Sequence, residues 1–416
     1  MELTIEGISH NGEGVAKNEG KVVFVPYAIP GEIVLVDIVE EKKKYSRAVL
    51  KNIIKNSPYR VEPKCPYYYQ CGGCSYQHVS YEKQLVFKKN ITEEAVKRIG
   101  GVPVKVLETI GIEEPWNYRN KVVWHINKNS EDIKMGFYRN QSSQLIQIDD
   151  CPLLLPKLNN LSALIRKNLT GINLQENSSI MLRQSYNSNQ AILEFINCYS
   201  DKKTEKRLTE EIDTIYEKRN GKIKLLSGEK LIREKAGKCY FLLGAEDFFQ
   251  INPRQYDLMI NTVINYLNIN KQDKVLDAYC GSGMFALNVA GKASSIIGID
   301  SSIPAIKNAR RNVELNGITN CKFTIGYCEN VLPNLKEAFD RVIIDPPRTG
   351  LKTKVIDSII NASPETIIYV SCNPGTLARD LKRFVLNGYK VFAVQPVDMF
   401  PQTSHIENIV ALQQKE

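Results

Sequence analysis

The chain has 416 residues, of which 43% are hydrophobic and 24% are charged, as in an ordinary soluble globular protein. This length accommodates two to four domains. No apolar run reaches the length of a membrane span, and the start lacks a hydrophobic signal region, so we expect a cytoplasmic protein without a membrane partner. The formal net charge of +9 suits a polyanionic partner, although a solvated basic surface gives the same balance. Ten cysteines in a cytosolic chain favour metal binding or catalysis over disulfides.

Residues 1–57 predict a small β module. The segments 22–26 and 32–38 are rich in β-branched residues, and the turn formers Pro30 and Gly31 separate them. Three lysines at 42–44 precede Tyr45. Short strands with basic loops are typical of a small barrel that grips an RNA backbone and stacks a base, although a solvated hairpin tip would look the same.

A cluster of cysteines follows this module. Cys65, Cys71 and Cys74 form a Cys-x5-Cys-x2-Cys run, a pattern that favours a metal cage over burial. Zinc and a [4Fe-4S] cluster both need a fourth ligand, and the spacing favours iron–sulfur. We prefer Cys151 to His78 as that ligand because Cys151, like Cys65, precedes a proline. The spacing thus predicts an iron–sulfur site.

Residues 58–245 predict a central α+β domain. Apolar residues at helical spacing predict a helix over about 80–100, which a glycine pair ends. Residues 116–124 and 136–139 interleave aromatic and basic side chains, a pattern that suits single-stranded RNA and that an ordinary sheet edge shares. Residues 203–219 predict a charged surface helix without chemistry, and Cys198 and Cys239 lie in apolar stretches that predict core positions.

From about residue 246, strands alternate with helices, which predicts an α/β fold. The strand 274–278 leads through a glycine turn into an apolar helix, and the next strand ends in Asp300. A glycine turn lets a cofactor approach the backbone, and an acid at the second strand can hold ribose hydroxyls. Asp277 begins an Asp-x-x-x-Gly-x-Gly pattern, which lacks the nicotinamide fingerprint and suits S-adenosylmethionine.

Two further strands end in reactive side chains. The apolar segment 366–370 leads to Cys372, and the segment 341–344 leads to Asp345. A lone cysteine is usually a small buried hydrophobe. Because parallel strands end at the same edge of a sheet, however, this thiol and this carboxylate are expected on one rim, where open α/β sheets bind ligands.

Taken together and in this order, the motifs resemble the RNA 5-methyluridine methyltransferases, in the iron–sulfur branch that modifies 23S ribosomal RNA. The resemblance covers essentially the whole chain. It implies an N-terminal TRAM domain over 1–57, a central domain over 58–245 with the helix at 80–100 packed on the catalytic domain, and a Rossmann-like methyltransferase domain over 246–416. It also implies cluster ligands at Cys65, Cys71, Cys74 and Cys151, S-adenosylmethionine binding by Gln250, Tyr279, Asp300 and Asp345, a nucleophile at Cys372 and a base at Glu407. The segment 326–329 departs from the usual pattern, and no adenine contact is assigned there.

The chemistry of uracil gives independent reasons for these residue types. Uracil C5 becomes nucleophilic when a thiolate such as Cys372 adds to C6, and a base such as Glu407 must then remove the C5 proton. Asp345 could contact uracil or cofactor, and a uridine inside a stem must be flipped out. A tRNA uridine methyltransferase is the alternative. A cytosine methylase would be expected to have a cysteine at the position of Arg348, so this arginine disfavours that activity. The intact motifs disfavour an inert RNA-binding adaptor. We expect a monomer.

Overall fold

A computed structural model describes residues 1–128, 133–140, 142–335 and 337–415. Three large sheets follow one another along the chain, and one of the hydrophobic cores is shared between the second and the third. None of the helices in the described ranges combines the length and the hydrophobicity needed to cross a membrane.

The first sheet has six strands, in which alternate valines point into the core: Val23, Val25, Val34 and Val36 are at most 1% exposed. Its spatial order is first, fifth, sixth, fourth, third, second. The lysines at 42–44 are exposed in the turn between the fifth and sixth strands, as the sequence predicts for a basic loop. The strands are β1 (Glu2–Thr4), β2 (Gly7–Ile8), β3 (Gly14–Asn18), β4 (Lys21–Val25), β5 (Ile33–Glu41) and β6 (Tyr45–Lys55).

The predicted helix at 80–100 is present as α1 (Tyr81–Ala95), which continues into a π-helical turn (Val96–Gly100). Gly101 ends it with φ +62°, a left-handed conformation that glycine adopts readily. The buried face of this helix is mostly polar. Val86 and Ile99 are exposed, whereas three of the four buried residues of α1 are polar: Gln84, Lys88 and Thr92.

The second sheet has seven strands in the order β13-β12-β11-β10-β7-β8-β9. Two helices accompany it, and the antiparallel hairpin β14–β15 follows. The elements are β7 (Lys121–Lys128), β8 (Ile133–Tyr138), β9 (Leu145–Gln147), α2 (Pro156–Lys167), β10 (Ile172–Gln184), β11 (Ala191–Ser200), α3 (Lys202–Leu208), β12 (Thr214–Arg219), β13 (Lys222–Gly228), β14 (Ile232–Ala236) and β15 (Cys239–Leu243).

Two expectations for this region were wrong or only partly right. The charged helix predicted over 203–219 stops at Leu208, and β12 pairs in parallel with β11 because its β-branched and aromatic side chains, Ile215 and Tyr216, enter the core. The ring of Trp124 is not accessible for stacking on an RNA base. It is fully buried, stacks on Phe137 with centroids 4.5 Å apart and donates to Ser162 Oγ at 2.8 Å.

The third sheet has seven strands in the order β18-β17-β16-β19-β20-β22-β21, and only β22 runs antiparallel to its neighbours. The order reverses between β16 and β19, which is where such sheets bind ligands. The elements are α4 (Tyr256–Leu267), β16 (Lys274–Ala278), α5 (Met284–Val289), β17 (Ser295–Asp300), α6 (Ile303–Leu315), β18 (Cys321–Ile325), α7 (Cys328–Val331), β19 (Arg341–Ile344), α8 (Thr353–Ala362), β20 (Thr366–Ser371), α9 (Pro374–Leu386), β21 (Tyr389–Val397) and β22 (Glu407–Gln414).

Candidate active site

The carboxyl ends of four parallel strands bring the sequence-predicted residues of the third sheet to one edge. Tyr279 follows β16, Asp300 ends β17, Asp345 follows β19 and Cys372 follows β20. The strands are held in register there, with the Asp345 amide donating to the Ala278 carbonyl at 3.2 Å. The structure therefore brings these four side chains together, as the strand pattern predicts.

Cys372 and Glu407 lie near each other at this edge. β20 and β22 pair antiparallel, with Ser371 opposite Asn408. Cys372 follows Ser371 and Glu407 precedes Asn408, and Glu407 is close enough to raise the pKa of the Cys372 thiol. The Asn408 side-chain amide donates to the Ser371 carbonyl at 3.3 Å, which fixes the two strands where they carry these groups.

The turn after Cys372 is shaped by Asn373, the N-cap of α9. Its side-chain oxygen accepts from the amides of Gly375 at 3.0 Å and Thr376 at 3.4 Å. Its side-chain amide donates to the Arg348 carbonyl at 3.1 Å. Asn373 therefore connects the turn after Cys372 to the loop after Asp345.

The ionisation of this edge is dominated by burial and by neighbouring acids. Burial first, and then Glu407, raise the pKa of Cys372 to about 11, while Arg348 opposes them. Burial and Asp345 raise the pKa of Glu407 well above its ordinary value. Burial and Asp300 raise the pKa of Asp345 to about 7. A cationic ligand at this edge would favour the charged forms of these acids.

The glycine turn after β16 forms a cradle beside the same edge. Tyr279 adopts φ +65° and Gly281 φ +54°. Asp300 accepts from the amides of Gly281 at 2.9 Å and Ser302 at 2.8 Å. Asp277 is fully buried, and burial raises its pKa to about 8. The backbone thus turns sharply beside two acids, Asp277 and Asp300.

Gln250 lies on a segment that joins the second sheet to the third. Its carbonyl accepts from the Tyr256 hydroxyl at 2.6 Å, and Asn252 donates to the Met399 carbonyl at 3.2 Å. The sequence analysis missed the anchor of this segment, Arg183, which is 3% exposed and donates to the Gly244 carbonyl at 3.0 Å. An arginine inside the apolar run of β10 was the signal that could have found it.

The four sequence-predicted cysteine ligands line one cavity of about 570 Å³. Burial raises the pKa of Cys151 to about 11 and that of Cys74 further. His78 lies outside this lining and contacts the Tyr68 hydroxyl through Nδ1 at 2.6 Å, which agrees with the preference for Cys151. Within the described ranges, no group of three histidine, cysteine or acidic side chains has an arrangement that could hold a metal ion. The structure by itself therefore does not show the iron–sulfur site. Four thiols around one cavity nevertheless fit the donor set of a [4Fe-4S] cluster.

Five further cysteines are core residues. Cys198 and Cys239 are buried, as their apolar surroundings predict, and Cys280, Cys321 and Cys328 are buried in the third-sheet region. All ten cysteines are free thiols.

Comparison with known proteins agrees with this geometry. Residues 80–415 match the tRNA (uracil-5-)-methyltransferase family, and residues 1–51 match the TRAM domain. An uncharacterized RNA methyltransferase of Halalkalibacterium halodurans is 34% identical over 100% of this chain and 97% of its own length. One of Clostridium acetobutylicum is 36% identical over 99% of this chain and 96% of its own length.

A solved structure is similar along the whole chain. The Pyrococcus abyssi tRNA (uracil-54, C5)-methyltransferase, in complex with S-adenosyl-L-homocysteine, is 27% identical with a TM-score of 0.79, covering 99% of this chain and 100% of that one. With Cys372, Asp345 and Glu407 at one edge of the third sheet, these matches give a single conclusion. The chain belongs to the tRNA (uracil-5-)-methyltransferase family of S-adenosylmethionine-dependent RNA methyltransferases and carries an N-terminal TRAM domain.

Proposed function

We propose that this protein, as a cytoplasmic monomer, methylates uracil C5 in 23S ribosomal RNA through a covalent bond between Cys372 and C6. The observation that carries the proposal is the proximity of Cys372 and Glu407 at the end of the β20–β22 pair, close enough for Glu407 to raise the pKa of the thiol. A nucleophile and a base on facing strands can act on C6 and C5 of one ring, which are adjacent atoms.

Cys372 and Glu407 each carry out one step of this cycle. Once its proton has passed to solvent, Cys372 adds to C6 through Sγ, and the C5=C6 electron pair moves onto C5 and O4 as an enolate. C5 uses that pair to bond the methyl group of the donor, whose bond to the sulfonium sulfur breaks and leaves its electron pair on sulfur. The Glu407 carboxylate accepts the C5 proton, the C5=C6 bond re-forms and the C6–Sγ bond breaks, returning its electron pair to Cys372.

We assign the cofactor to the acid-lined cradle. Gln250, Tyr279, Asp300 and Asp345 would hold S-adenosylmethionine, which when bound supplies an electrophilic methyl group. Support comes from the raised pKa of Asp345, because a buried acid near neutral pKa becomes a carboxylate when a cation binds beside it. Asp300, at the end of the second strand of the βαβ unit, suits the ribose hydroxyls.

We assign a [4Fe-4S] cluster to Cys65, Cys71, Cys74 and Cys151. The support is the shared cavity and the all-thiol donor set. A structural role is expected, because four cysteine ligands leave no coordination position open for chemistry.

The RNA substrate is proposed from the resemblance of the cysteine set to the branch acting on 23S ribosomal RNA. Residues 1–57 would grip the RNA, 58–245 would carry the cluster and 246–416 would carry out methylation. A tRNA is the second candidate, because the structurally similar Pyrococcus abyssi enzyme acts on tRNA uracil 54. Mass spectrometry of both RNAs from a deletion strain decides: loss of 5-methyluridine from 23S RNA supports the proposal, and loss from tRNA alone replaces it.

The covalent cycle predicts opposite behaviour for two variants. Glu407→Gln should still attack C6 and transfer the methyl group yet fail to release, so a denaturing gel should show an RNA–protein band carrying labelled methyl. Cys372→Ala should give no methylation and no such band, while still binding S-adenosylmethionine by calorimetry. Wild-type turnover by Glu407→Gln would refute the base, and a shifted band from Cys372→Ala would refute the nucleophile.

A further inference from the structure

The buried face of α1 carries polar side chains at a spacing of four residues. Gln84, Lys88 and Thr92 are each 0% exposed and lie on one side of the helix. Buried polar groups require partners, and a lysine is rarely buried completely. We call these three residues the polar stripe.

The first two residues of the polar stripe hold the segment that precedes Glu407. Lys88 Nζ contacts the Asp398 carboxylate at 2.5 Å, with both side chains 0% exposed, and donates to the Phe400 carbonyl at 3.1 Å. Gln84 and Gln402 exchange two hydrogen bonds, of 2.9 and 3.0 Å. Gln402 has φ +69°, an unfavourable conformation that these bonds help to hold.

The third residue reaches the catalytic strands. Thr92 Oγ1 donates to Asn408 Oδ1 at 2.8 Å, and Asn408 in turn donates to the Ser371 carbonyl at 3.3 Å. Asn408 follows Glu407, and Ser371 precedes Cys372. One chain of hydrogen bonds therefore runs from α1 through the strand of the base to the strand of the nucleophile.

We infer that the polar stripe positions Glu407 against Cys372, so that proton removal from C5, and with it release of the RNA, depends on α1. This inference rests on the proposed function. A buried lysine–carboxylate pair adds little net stability over apolar packing, whereas its directional bonds fix geometry. Addition to C6 needs only Cys372, so a displaced base slows release more than attack, and a shift of 1 Å can cost about 100-fold in rate.

The closing experiment compares Thr92→Val with Thr92→Ser. The assay is a single turnover with methyl-labelled S-adenosylmethionine. It measures how much label is in the covalent RNA–protein band and how much is in released RNA. Thr92→Val keeps the side-chain shape but removes the hydroxyl, so release should slow at least about tenfold and labelled adduct should accumulate. Thr92→Ser keeps the hydroxyl and should restore the wild-type division of label.

Lys88→Met and Arg341→Met form the matched control pair. Arg341 is also buried and ion-paired, with Nε 3.3 Å from Asp273, but it stands at the opposite end of β19 from the site. Both variants should lower the unfolding temperature, and only Lys88→Met should accumulate adduct. If Lys88→Met does not fold, the Thr92 pair decides.

Two results would overturn the inference in distinguishable ways. A wild-type division of label in Thr92→Val refutes the positioning role while leaving the proposed function intact. A wild-type protein that transfers no methyl group to either RNA refutes the proposed function, and the inference falls with it.

Discussion

Cys372 is a thiol that its surroundings keep protonated. Burial, Glu407 and Asp345 raise its pKa, and the exposed Arg348 only partly opposes them. A thiolate is the nucleophile, so most of the free enzyme at neutral pH holds this residue in its unreactive form. In the proposed mechanism, the proximity of Glu407 would therefore favour proton removal while disfavouring the attacking thiolate.

The pH dependence of adduct formation follows from this pKa. Because the pKa of Cys372 is raised to about 11, the thiolate fraction grows with pH throughout the neutral range, by about tenfold per pH unit. In the proposed mechanism Glu407, whose pKa is also raised, removes the C5 proton only when it is deprotonated, so the later release step should favour higher pH as well. Single-turnover rates of adduct formation measured between about pH 6 and 9 should therefore rise.

The Glu407→Gln variant provides the control for that profile. Removing the Glu407 charge removes one cause of the raised pKa of Cys372, so its adduct-formation profile should shift to lower pH. A rate that is flat with pH in the wild type, or a profile that does not move in the variant, would contradict this account of the thiol.

At the scale of elements, the turn between β5 and β6 is the clearest basic feature of the N-terminal sheet. Its three lysines are exposed, and Lys42 pairs with Glu40 at 2.9 Å. Such an exposed pair contributes little to stability, which leaves the cation available to phosphates.

Replacing residues 42–44 with alanine should weaken RNA affinity and flatten its salt dependence, because each lost phosphate contact removes about one unit of the salt slope. Single-turnover methylation at saturating RNA should change little. The same substitutions at the exposed lysines 202, 203 and 206 of α3 serve as the control and should leave affinity nearly unchanged. A collapse of the chemical step at constant affinity would instead place the lysines in the active site.

At the scale of the whole molecule, the cysteine cavity lies beside the catalytic region. Cys74 is followed by Ser75, whose amide donates to the Gln402 carbonyl at 3.1 Å and whose hydroxyl accepts from the Ser404 amide at 2.7 Å. A cluster held at Cys74 would therefore brace the loop before Glu407.

Protein purified without oxygen should be brown and carry about one [4Fe-4S] cluster. Cys74→Ser should lose iron and unfold at a lower temperature, because metal binding contributes to folding. Cys198→Ser, which changes a buried core cysteine outside the cavity, should retain its iron. Stoichiometric zinc with no iron after anaerobic purification would contradict the assignment.

The sequence alone located the elements of the catalytic edge. Runs of β-branched residues predict β19 and β20, and turn formers place Asp345 and Cys372 just beyond them. That succeeds because strand propensity and turn chemistry depend on neighbours along the chain, and because parallel strands must end at a common edge. The same local reasoning found α1 but gave no sign that its buried face would be mostly polar.

The tertiary structure alone decided which groups face each other. The pairing of β20 with β22 brings Glu407 near Cys372, and Lys88 contacts Asp398, 310 residues away in sequence. Tertiary packing also made β12 a strand although its charged sequence predicted a helix, and it buried Trp124 in the core. Register and buried polar pairs depend on the assembled core, where water is excluded and a partner distant in sequence becomes the nearest neighbour, so the pattern of residues along the chain could not determine them.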